Sequence, residues 1–439
     1  YGTEDLRPLE PQYVSTVDSG NLAVALITLR HGLTEIARTP VFRPVLMEGL
    51  ADTIRSADEV LESRGGPELW HEVSALRQQL VELQAGSEPG TGNLADCYAF
   101  LCDLEGRHLA EIDALVAAVV DSAVAGVPPT ELLALRVWTR KMHQHVGILS
   151  RLCRVLHPWL AVLGAAPAAL CAAGLGTRRE QLWSELEDRL TDPVSPDDLP
   201  GLASWARARI TELLAEVGTE FDDTEREAVQ AWAGRLEQTL EEASREARRL
   251  SRSLAEAARI AERLEQEMEF AFLFDRTRGL FHIGFNVSHG ELDPNFYDLL
   301  ASEARLASYV AIARGEVPLE HWLCLGRPYA RLGGRPVLLS WAATMFEYLL
   351  PQLFLRTEPD TLLGRSCRDA VRQQIRFTRR RGIPWGISES GYHQLGSDAS
   401  YQYRAFGVPE LGLRRDPGGR LVITPYASLL ALSVADPQV

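Results

Sequence analysis

Residues 236–264 read LEQTLEEASREARRLSRSLAEAARIAERL. The apolar side chains in this stretch recur mostly at steps of three and four residues, and Glu, Arg and Gln fill the positions between them. That spacing predicts one very long amphipathic helix with an exposed, charged face. We expect this helix to pack against its own chain, as a helical hairpin or coiled arm, rather than to form a coiled coil with a partner protein.

Helical spacing also dominates the regions on both sides of this arm. It predicts two helices between residues 19 and 62, further helices over 94–125 and 130–163, and helices again over 297–315 and 342–353. Short extended segments are expected only near 281–286 and 421–424. Strands and helices do not alternate, and no Gly-x-Gly-x-x-Gly or Walker motif follows a strand, which argues against a nucleotide-binding fold. The sequence therefore predicts a mainly α fold with a few short strands.

One uncharged stretch, residues 155–177, has about the length of a transmembrane helix. Because it contains Pro158 and Pro167 and is rich in alanine and glycine, we expect a buried or connecting segment instead. The first eleven residues are charged and lack the apolar core of a signal peptide, so the chain is expected to be a soluble domain excised from a longer protein.

Charge and cysteine usage exclude several functions. The 439 residues carry 45 basic and 60 acidic side chains, a net charge of -15 that repels polyanions, so no nucleic acid partner is expected. The six cysteines are scattered, without a Cys-x-x-Cys pair or zinc spacing, which indicates a reducing compartment and no metal site.

Carboxylates are the remaining candidates for chemistry, because no Gly-x-Ser-x-Gly elbow or recognisable cysteine nucleophile is present. Glycosidic bonds are cleaved by paired Asp or Glu side chains, and sugar sites add aromatic faces and polar groups. Four segments offer that combination: YVSTVDSGN (13–21), YDLLASEAR (297–305), SWAATMFEY (340–348) and PWGISESGYHQ (384–394).

Local surroundings distinguish the carboxylates of these segments. Glu389 lies between two serines on an irregular, glycine-containing backbone, whereas Glu303 is expected on a helix beside apolar and aromatic residues that would raise its pKa towards that of a general acid. Glu347, in an apolar neighbourhood, either orients the site as a buried hydrogen-bonded carboxylate or binds a sugar hydroxyl. Asp18 is either a helix N-terminal residue or a substrate contact.

Together with FHIGFN (281–286) and the continuous stretch 297–327, these segments resemble the central region of bacterial cyclic β-1,2-glucan synthases. The resemblance covers about the first thirty residues and most of 275–430, while 48–265 matches mainly as generic helix. One departure is that Ala342 and Ala343 occupy positions where small polar residues such as Ser and Gly are expected in the family.

The resemblance implies a glycoamylase-like (α/α)6 barrel, or toroid. Residues 1–64 would form its first helices, 65–265 an inserted or peripheral helical region, and 266–439 the main catalytic part. It further implies an anomer-retaining, intramolecular transglycosylation of linear β-1,2-glucan, with Glu389 as nucleophile and Glu303 as acid/base. The implied glucan contacts are Asp18, Asn21, Trp341, Glu347, Trp385 and Tyr392. Neither a metal nor a cofactor is required by such a mechanism.

In such synthases a membrane-embedded glycosyltransferase precedes this region and a phosphorylase-type module follows it. The expected location is therefore the cytoplasmic side of the bacterial inner membrane, within a larger synthase. Two other functions stay open from the sequence. One is an endo-β-1,2-glucanase that hydrolyses the same polymer, and the other is a non-catalytic glucan-binding module.

Overall fold

The computed structural model describes residues 4, 5, 7, 8, 10–43, 45–62, 78, 93–122, 129–171, 177–217, 221–392, 402–414 and 421–434. The protein is mainly helical with few, short strands, which confirms the predicted fold class at that level. The predicted (α/α)6 barrel is a finer statement and stays a prediction.

The α-helices of the described residues are numbered here in chain order. In the first part of the chain they are α1 (Thr16–Arg38), α2 (Leu46–Glu62), α3 (Leu94–Asp103), α4 (Leu109–Ser122), α5 (Pro129–Leu156), α6 (Trp159–Leu163), α7 (Ala168–Cys171), α8 (Arg178–Thr191), α9 (Leu199–Glu216) and α10 (Asp223–Gln266). A π-helical turn, Leu104–His108, joins α3 to α4. The later helices are α11 (Arg305–Ala313), α12 (Glu320–Cys324), α13 (Met345–Leu349), α14 (Leu362–Arg379) and α15 (Pro425–Leu430).

The strands are short and pair antiparallel in four small sheets. They are β1 (Tyr13–Ser15), β2 (Phe274–Asp275), β3 (Leu280–His282), β4 (Gly284–Asn286), β5 (Glu291–Leu292), β6 (Phe296–Tyr297), β7 (Tyr329–Leu332), β8 (Arg335–Leu338), β9 (Ser390–Tyr392) and β10 (Gln402–Arg404). The strand orders are β1-β4-β5, β2-β3-β6, β7-β8 and β10-β9. The extended segment predicted over 281–286 is confirmed, whereas residues 421–424 contribute only an isolated bridge between Ile387 and Ile423.

The long predicted helix is confirmed as α10, which has 44 residues. It starts earlier than its leucine spacing indicates because Asp222 caps it. The Asp222 carboxylate accepts from the backbone N–H of Glu225 at 2.8 Å, and the Glu225 carboxylate accepts from the Asp222 N–H at 3.1 Å. This reciprocal capping box satisfies donors that the first helical turn leaves unpaired.

The prediction of a helix over 297–315 is wrong for its first half, because α11 begins only at Arg305. Tyr297 belongs instead to β6, and the N–H of Leu300 donates to the carbonyl of Gly326 at 3.0 Å. These long-range backbone bonds hold residues 297–300 extended, so Glu303 lies in the irregular segment ahead of the helix. The helix predicted over 342–353 likewise begins only after Thr344, which is its N-cap.

Two compact units are distinguished by packing: residues 32–257, and residues 1–31 together with 258–439. We call the first the helical unit and the second the carboxylate unit. The domain limits predicted at residues 64 and 265 differ from this division, since α2 packs within the helical unit, and they stay a prediction about the family's domains.

The core of the helical unit is built from leucine, alanine and tryptophan side chains of its helices. Trp159 and Trp232 are fully buried, and their indole N–H groups donate to the carbonyls of Leu190 and Val162, each at 2.9 Å. The described part of the uncharged stretch 155–177 contributes Trp159, Leu160 and Leu163 to this core, as the expectation of a buried segment requires. In the ranges that the structure describes, no helix combines the length and apolar character needed to cross a bilayer.

The carboxylate unit has two apolar clusters. One packs the start of α1 against α11 and the strand residues around Phe281, and Gly20 of α1 lies so close to Ala307 that a Cβ atom would come within 2.5 Å of it. The other cluster joins β8, α13 and α14 to the segments around Ile387 and Val408. Both clusters support the irregular segments that carry the candidate site.

Candidate active site

Glu389 is held by hydroxyl groups from two other segments. The Thr344 hydroxyl donates to Glu389 Oε1 at 3.3 Å, and the Tyr403 hydroxyl donates to Oε2. The Tyr426 hydroxyl donates to the backbone carbonyl of Glu389 at 2.8 Å. Both oxygens of this partly exposed carboxylate therefore accept a hydrogen bond from a hydroxyl group.

The backbone ahead of Glu389 is fixed from the buried side of α14. Gln374 accepts from the N–H of Ile387 at 2.9 Å and donates to its carbonyl at 2.8 Å, and both residues are buried. Ser388, also buried, accepts from the N–H of Phe346 at 3.1 Å. Gly386 has a φ of 116°, in the region that favours glycine, and this permits the sharp approach to the carboxylate.

Glu303 lies in a different environment from Glu389. It is partly buried in the segment that precedes α11, and the Ser302 hydroxyl donates to its Oε2 at 3.4 Å. Burial raises the pKa of Glu303 to about 8, and the negative charges of Glu347 and Glu389 add to the rise. Glu303 is therefore mostly protonated at neutral pH and can donate a proton.

Glu347 is 5% exposed and is saturated with protein donors. It accepts from the Ser340 hydroxyl at 3.0 Å, the Ala342 N–H at 3.1 Å and the Thr344 N–H at 2.8 Å. Burial raises its pKa, against the effect of these hydrogen bonds. Of the two roles considered from the sequence, this geometry favours a carboxylate that orients the loop 340–344 over one that binds a sugar hydroxyl.

The loop 340–344 is tightly constrained. Ala343 has a φ of 61°, a left-handed conformation that an L-residue rarely adopts, and it lies at one of the two positions where small polar residues such as Ser and Gly are expected in the family. A Cβ atom at Gly407 would come within 1.8 Å of the Ala342 carbonyl oxygen, so the segment 406–414 packs directly on this loop. The loop thereby presents the Thr344 hydroxyl to Glu389.

Arg305 was not anticipated from the sequence, although it organises the site. Its buried guanidinium donates to the backbone carbonyls of Ser302 at 2.7 Å, Glu347 at 2.9 Å and Tyr348 at 2.8 Å. These bonds tie the segment that carries Glu303 to the helix that carries Glu347. The only sequence signal for it is a charged residue at the start of an apolar helix.

Three tyrosines complete the cluster: Tyr297, Tyr403 and Tyr426. Burial raises the pKa of Tyr297 well above its usual range, and the charges of Glu303, Asp18, Tyr13 and Glu389 add to this. Burial and then the hydrogen bond to Glu389 do the same for Tyr403. The phenols therefore stay protonated at neutral pH and act as hydrogen-bond donors.

The sequence-predicted contact residues differ in how closely the structure associates them with the carboxylates. Asp18 lies exposed in the first turn of α1, as its helix-start alternative predicts, and its charge acts on Tyr297. Asn21, one turn further on, has a buried Oδ1 that accepts no hydrogen bond from the described residues. An unpaired buried acceptor of this kind is suited to a ligand hydroxyl.

The predicted aromatic contacts are less directly connected to Glu303 and Glu389. Trp341 is 46% exposed and its indole N–H donates to Asp298 Oδ1 at 3.1 Å. Trp385 is partly buried against the cluster around Ile387. Tyr392 ends β9, and its side chain lies outside the described residues. Among the His, Cys, Asp and Glu side chains described, no group of three is arranged to hold a metal ion.

Comparison with known proteins gives one informative match. No family model matches the chain. The cyclic β-(1,2)-glucan synthase NdvB of Rhizobium meliloti (strain 1021) is 32% identical over 432 residues, which is 98% of this chain. The chain is a relative of one segment of that synthase. It spans 12% of the synthase's length, so the match concerns a domain-sized part of a much larger protein.

Because the similarity to the synthase extends over 98% of the chain, it includes the helical unit as well as the carboxylate unit. The sequence resemblance had been specific only outside residues 48–265. The matched segment of the synthase therefore corresponds in sequence to both units of this chain.

Proposed function

We propose that this chain closes linear β-1,2-glucan into rings by an anomer-retaining, intramolecular transglycosylation, with Glu389 as nucleophile and Glu303 as acid/base. The observation that carries this proposal is the contrast between two neighbouring carboxyl groups. Glu303 is kept protonated by burial and by its acidic neighbours, whereas Glu389 receives a hydrogen bond on each oxygen. Pairs of carboxyl groups with opposed environments are the arrangement that glycosidic bond cleavage uses.

The reaction would proceed in two balanced steps. A Glu389 oxygen forms a bond to the anomeric carbon while the bond to the leaving sugar oxygen breaks, and the leaving oxygen takes the proton of Glu303. The non-reducing end of the same chain then presents a hydroxyl, Glu303 removes its proton, and that oxygen displaces Glu389. Two inversions at one carbon retain the anomeric configuration.

Ring closure, as opposed to hydrolysis, requires that a sugar hydroxyl reach the glycosyl-enzyme before water does. The exposed Trp341 ring and the unpaired Asn21 Oδ1 are the groups available to hold glucan units around the carboxylates. We include them, together with Asp18, Trp385 and Tyr392, as proposed glucan contacts. Glu347 is proposed to act on the site through the loop 340–344.

The proposal extends to the fold and to the surroundings of the chain. We propose that the carboxylate unit forms the catalytic part of an (α/α)6 barrel. We also propose that glycosyltransferase and phosphorylase-type modules adjoin this chain at the cytoplasmic side of the bacterial inner membrane. The similarity to a 12% segment of a larger synthase supports the presence of neighbouring modules.

The deciding experiment is to incubate the chain with linear β-1,2-glucan and to measure both the mass of the products and the number of reducing ends. Ring closure gives products one water lighter than linear chains of the same length, with no net gain of reducing ends. A gain of one reducing end per cut would show the hydrolase instead. Unchanged polymer that still co-sediments or co-migrates with the protein would show a binding module.

A further inference from the structure

Building on the proposed function, we propose that Tyr403 is a positioning residue that anchors Glu389 Oε2, so that Oε1 is the oxygen that attacks the anomeric carbon. The two oxygens of Glu389 have unequal partners. Among the described residues, Oε1 accepts only from the Thr344 hydroxyl, at 3.3 Å near the outer limit of a hydrogen bond, whereas Oε2 accepts from the Tyr403 phenol. The more weakly held oxygen is the one free to form a new bond.

The β9–β10 pairing explains how Tyr403 reaches the carboxylate. Tyr403 is paired with Gly391, and Glu389 precedes Gly391 by two residues. Side chains two residues apart in an extended segment point to the same face, so Glu389 is the diagonal neighbour of Tyr403. Since Gly391 has no side chain, the phenol can lean across it to Oε2.

The protonation state of Tyr403 suits a donor that never gives up its proton. Partial burial of the phenol and its hydrogen bond to Glu389 raise the pKa of Tyr403 far above neutral, although the residue as a whole is 58% exposed. In the first step Oε1 bonds to the anomeric carbon and Oε2 becomes the carbonyl oxygen of the ester, still hydrogen-bonded to the phenol. In the second step the Oε1–carbon bond breaks and its electrons return to the carboxylate, while Tyr403 keeps its proton throughout.

Tyr426 makes a useful contrast, because its hydroxyl bonds the backbone carbonyl of Glu389 and lies 2.9 Å from Ser388 Oγ. It fixes the main chain and leaves the choice between the two carboxylate oxygens untouched. Of these two tyrosines, Tyr403 bonds the carboxylate of Glu389, and we therefore assign the orientation of the attacking oxygen to Tyr403.

The test compares Tyr403→Phe with Thr344→Val and with a control, Tyr329→Phe, in which an exposed phenol of β7 is changed. The substrate is the 4-nitrophenyl glycoside of a β-1,2-linked glucan oligosaccharide, whose leaving group departs without help from Glu303. The burst of nitrophenol then reports formation of the glycosyl-enzyme. Mass spectrometry of the quenched protein identifies Glu389 as the labelled residue.

We expect Tyr403→Phe to lower the burst rate about 10- to 100-fold, as for loss of one preorganised donor, with KM changed by less than about threefold. Thr344→Val should lower it less, and Tyr329→Phe should leave it unchanged. Thermal unfolding of Tyr403→Phe should match that of the unmodified chain, because the side chain is exposed.

An unchanged burst rate in Tyr403→Phe, or an effect confined to KM, overturns the assignment of Tyr403 as the residue that anchors Oε2. If Glu389 is nevertheless labelled in the unmodified chain, the proposed function is not contradicted. A larger loss in Thr344→Val than in Tyr403→Phe also overturns it, since Oε1 would then be the anchored oxygen. Absence of any label on Glu389 in the unmodified chain overturns the proposed function and this assignment together. If the products are linear and Glu389 is still labelled, ring closure is contradicted. The burst rates of the variants then still test the role of Tyr403, because they report formation of the glycosyl-enzyme.

Discussion

The interiors of the helical unit and the carboxylate unit are filled by different kinds of side chain. In the helical unit, apolar side chains at helical spacing fill the core. The buried imidazole of His157 has no hydrogen-bond partner among the described residues, and burial lowers its pKa to about 4. In the carboxylate unit, buried polar groups such as Arg305, Glu347 and Gln374 are each hydrogen-bonded to backbone groups outside their own helices.

This difference distinguishes a unit stabilised by apolar packing from a unit in which buried polar groups hold irregular backbone in place. An apolar helical core is stabilised by area removed from water and tolerates a neutral histidine. A network of buried polar groups stabilises little on balance, but it holds irregular backbone in one conformation. Substitutions in the two units should therefore separate loss of activity from loss of stability.

The largest effect is expected for Glu389→Gln. The amide keeps the shape of the side chain but cannot act as the nucleophile, so turnover of linear β-1,2-glucan should fall by at least about 10³-fold. Product formation followed by mass spectrometry measures this loss. The matched control is Glu320→Gln, at an exposed position of α12, which should keep full activity.

Glu389→Gln should unfold at the same temperature as the unmodified chain, because Glu389 is partly exposed and its hydroxyl partners can also bond an amide oxygen. If this variant still closes rings, Glu389 is not the nucleophile, and a glucan-binding role for this site is favoured instead.

Most of the helical unit could be predicted from the sequence, because an amphipathic helix is recorded in residues three and four positions apart. The long α10 was expected from 236–264, and only its start was missed, since that depends on the capping box at Asp222. The helix over 297–315 was mispredicted for the opposite reason. Its first residues have helical spacing, but hydrogen bonds to Gly326, 26 residues after Leu300, hold them extended.

For the candidate site, the sequence indicated which carboxylates to consider, and the proposed roles of Glu303 and Glu389 agree with their surroundings. It offered Tyr403 only as one of several aromatic residues for a glucan groove, and it did not indicate Arg305, Thr344 or the hydrogen bond from Tyr403 to Glu389. Each of these three residues acts through a contact with a segment more than ten residues away. Periodicity carries no information about such contacts. Glu347 shows the same limit, since its three donors are visible only once the loop 340–344 has folded around it.

The next effect in size should appear in the helical unit. Leu236 is fully buried on α10, and Leu236→Ala removes apolar contacts and leaves a cavity, which should lower the free energy of unfolding by about 2–5 kcal/mol. Chemical denaturation measures this change. The rate of glucan turnover per folded molecule should stay the same, because Leu236 contributes to packing only.

The exposed Leu264→Ala, near the end of the same helix, is the matched control and should change the free energy of unfolding by less than about 0.5 kcal/mol. A loss of turnover per folded molecule in Leu236→Ala would mean that the core of the helical unit also shapes the chemistry, and the contrast between the units would no longer hold.

A smaller loss of stability, about 1–3 kcal/mol, is expected for Glu347→Gln. The amide has one acceptor oxygen in place of two, so one of the donors from Ser340, Ala342 and Thr344 loses its partner in a buried position. Unlike Leu236→Ala, this variant should also lower kcat, because the loop no longer holds Thr344 against Glu389. A change in KM without a change in kcat would instead support a direct contact between Glu347 and the glucan.

The smallest effect is a dependence on pH that comes from Glu303. As the proton donor, Glu303 must be protonated, and since its pKa is raised to about 8, kcat/KM should fall by about tenfold per pH unit above that value. With an aryl leaving group that needs no proton, the fall on the alkaline side should be much weaker. Turnover of both substrates measured between neutral pH and the alkaline range tests this difference.

Folding stability should respond to the same group with a definite sign. The pKa of Glu303 is higher in the folded chain than its usual value of 4.5, so the folded state binds more protons than the unfolded state between about 4.5 and about 8. The contribution of Glu303 to stability is therefore complete below this window and is lost as pH rises through it. Glu303→Gln should abolish that part of the pH dependence, whereas His157, whose pKa is lowered to about 4, should reduce stability only as pH falls below its usual value of 6.5. A loss of stability between about pH 4.5 and about 8 that is as large in Glu303→Gln as in the unmodified chain would contradict the raised pKa of Glu303 and, with it, the donor role of this residue.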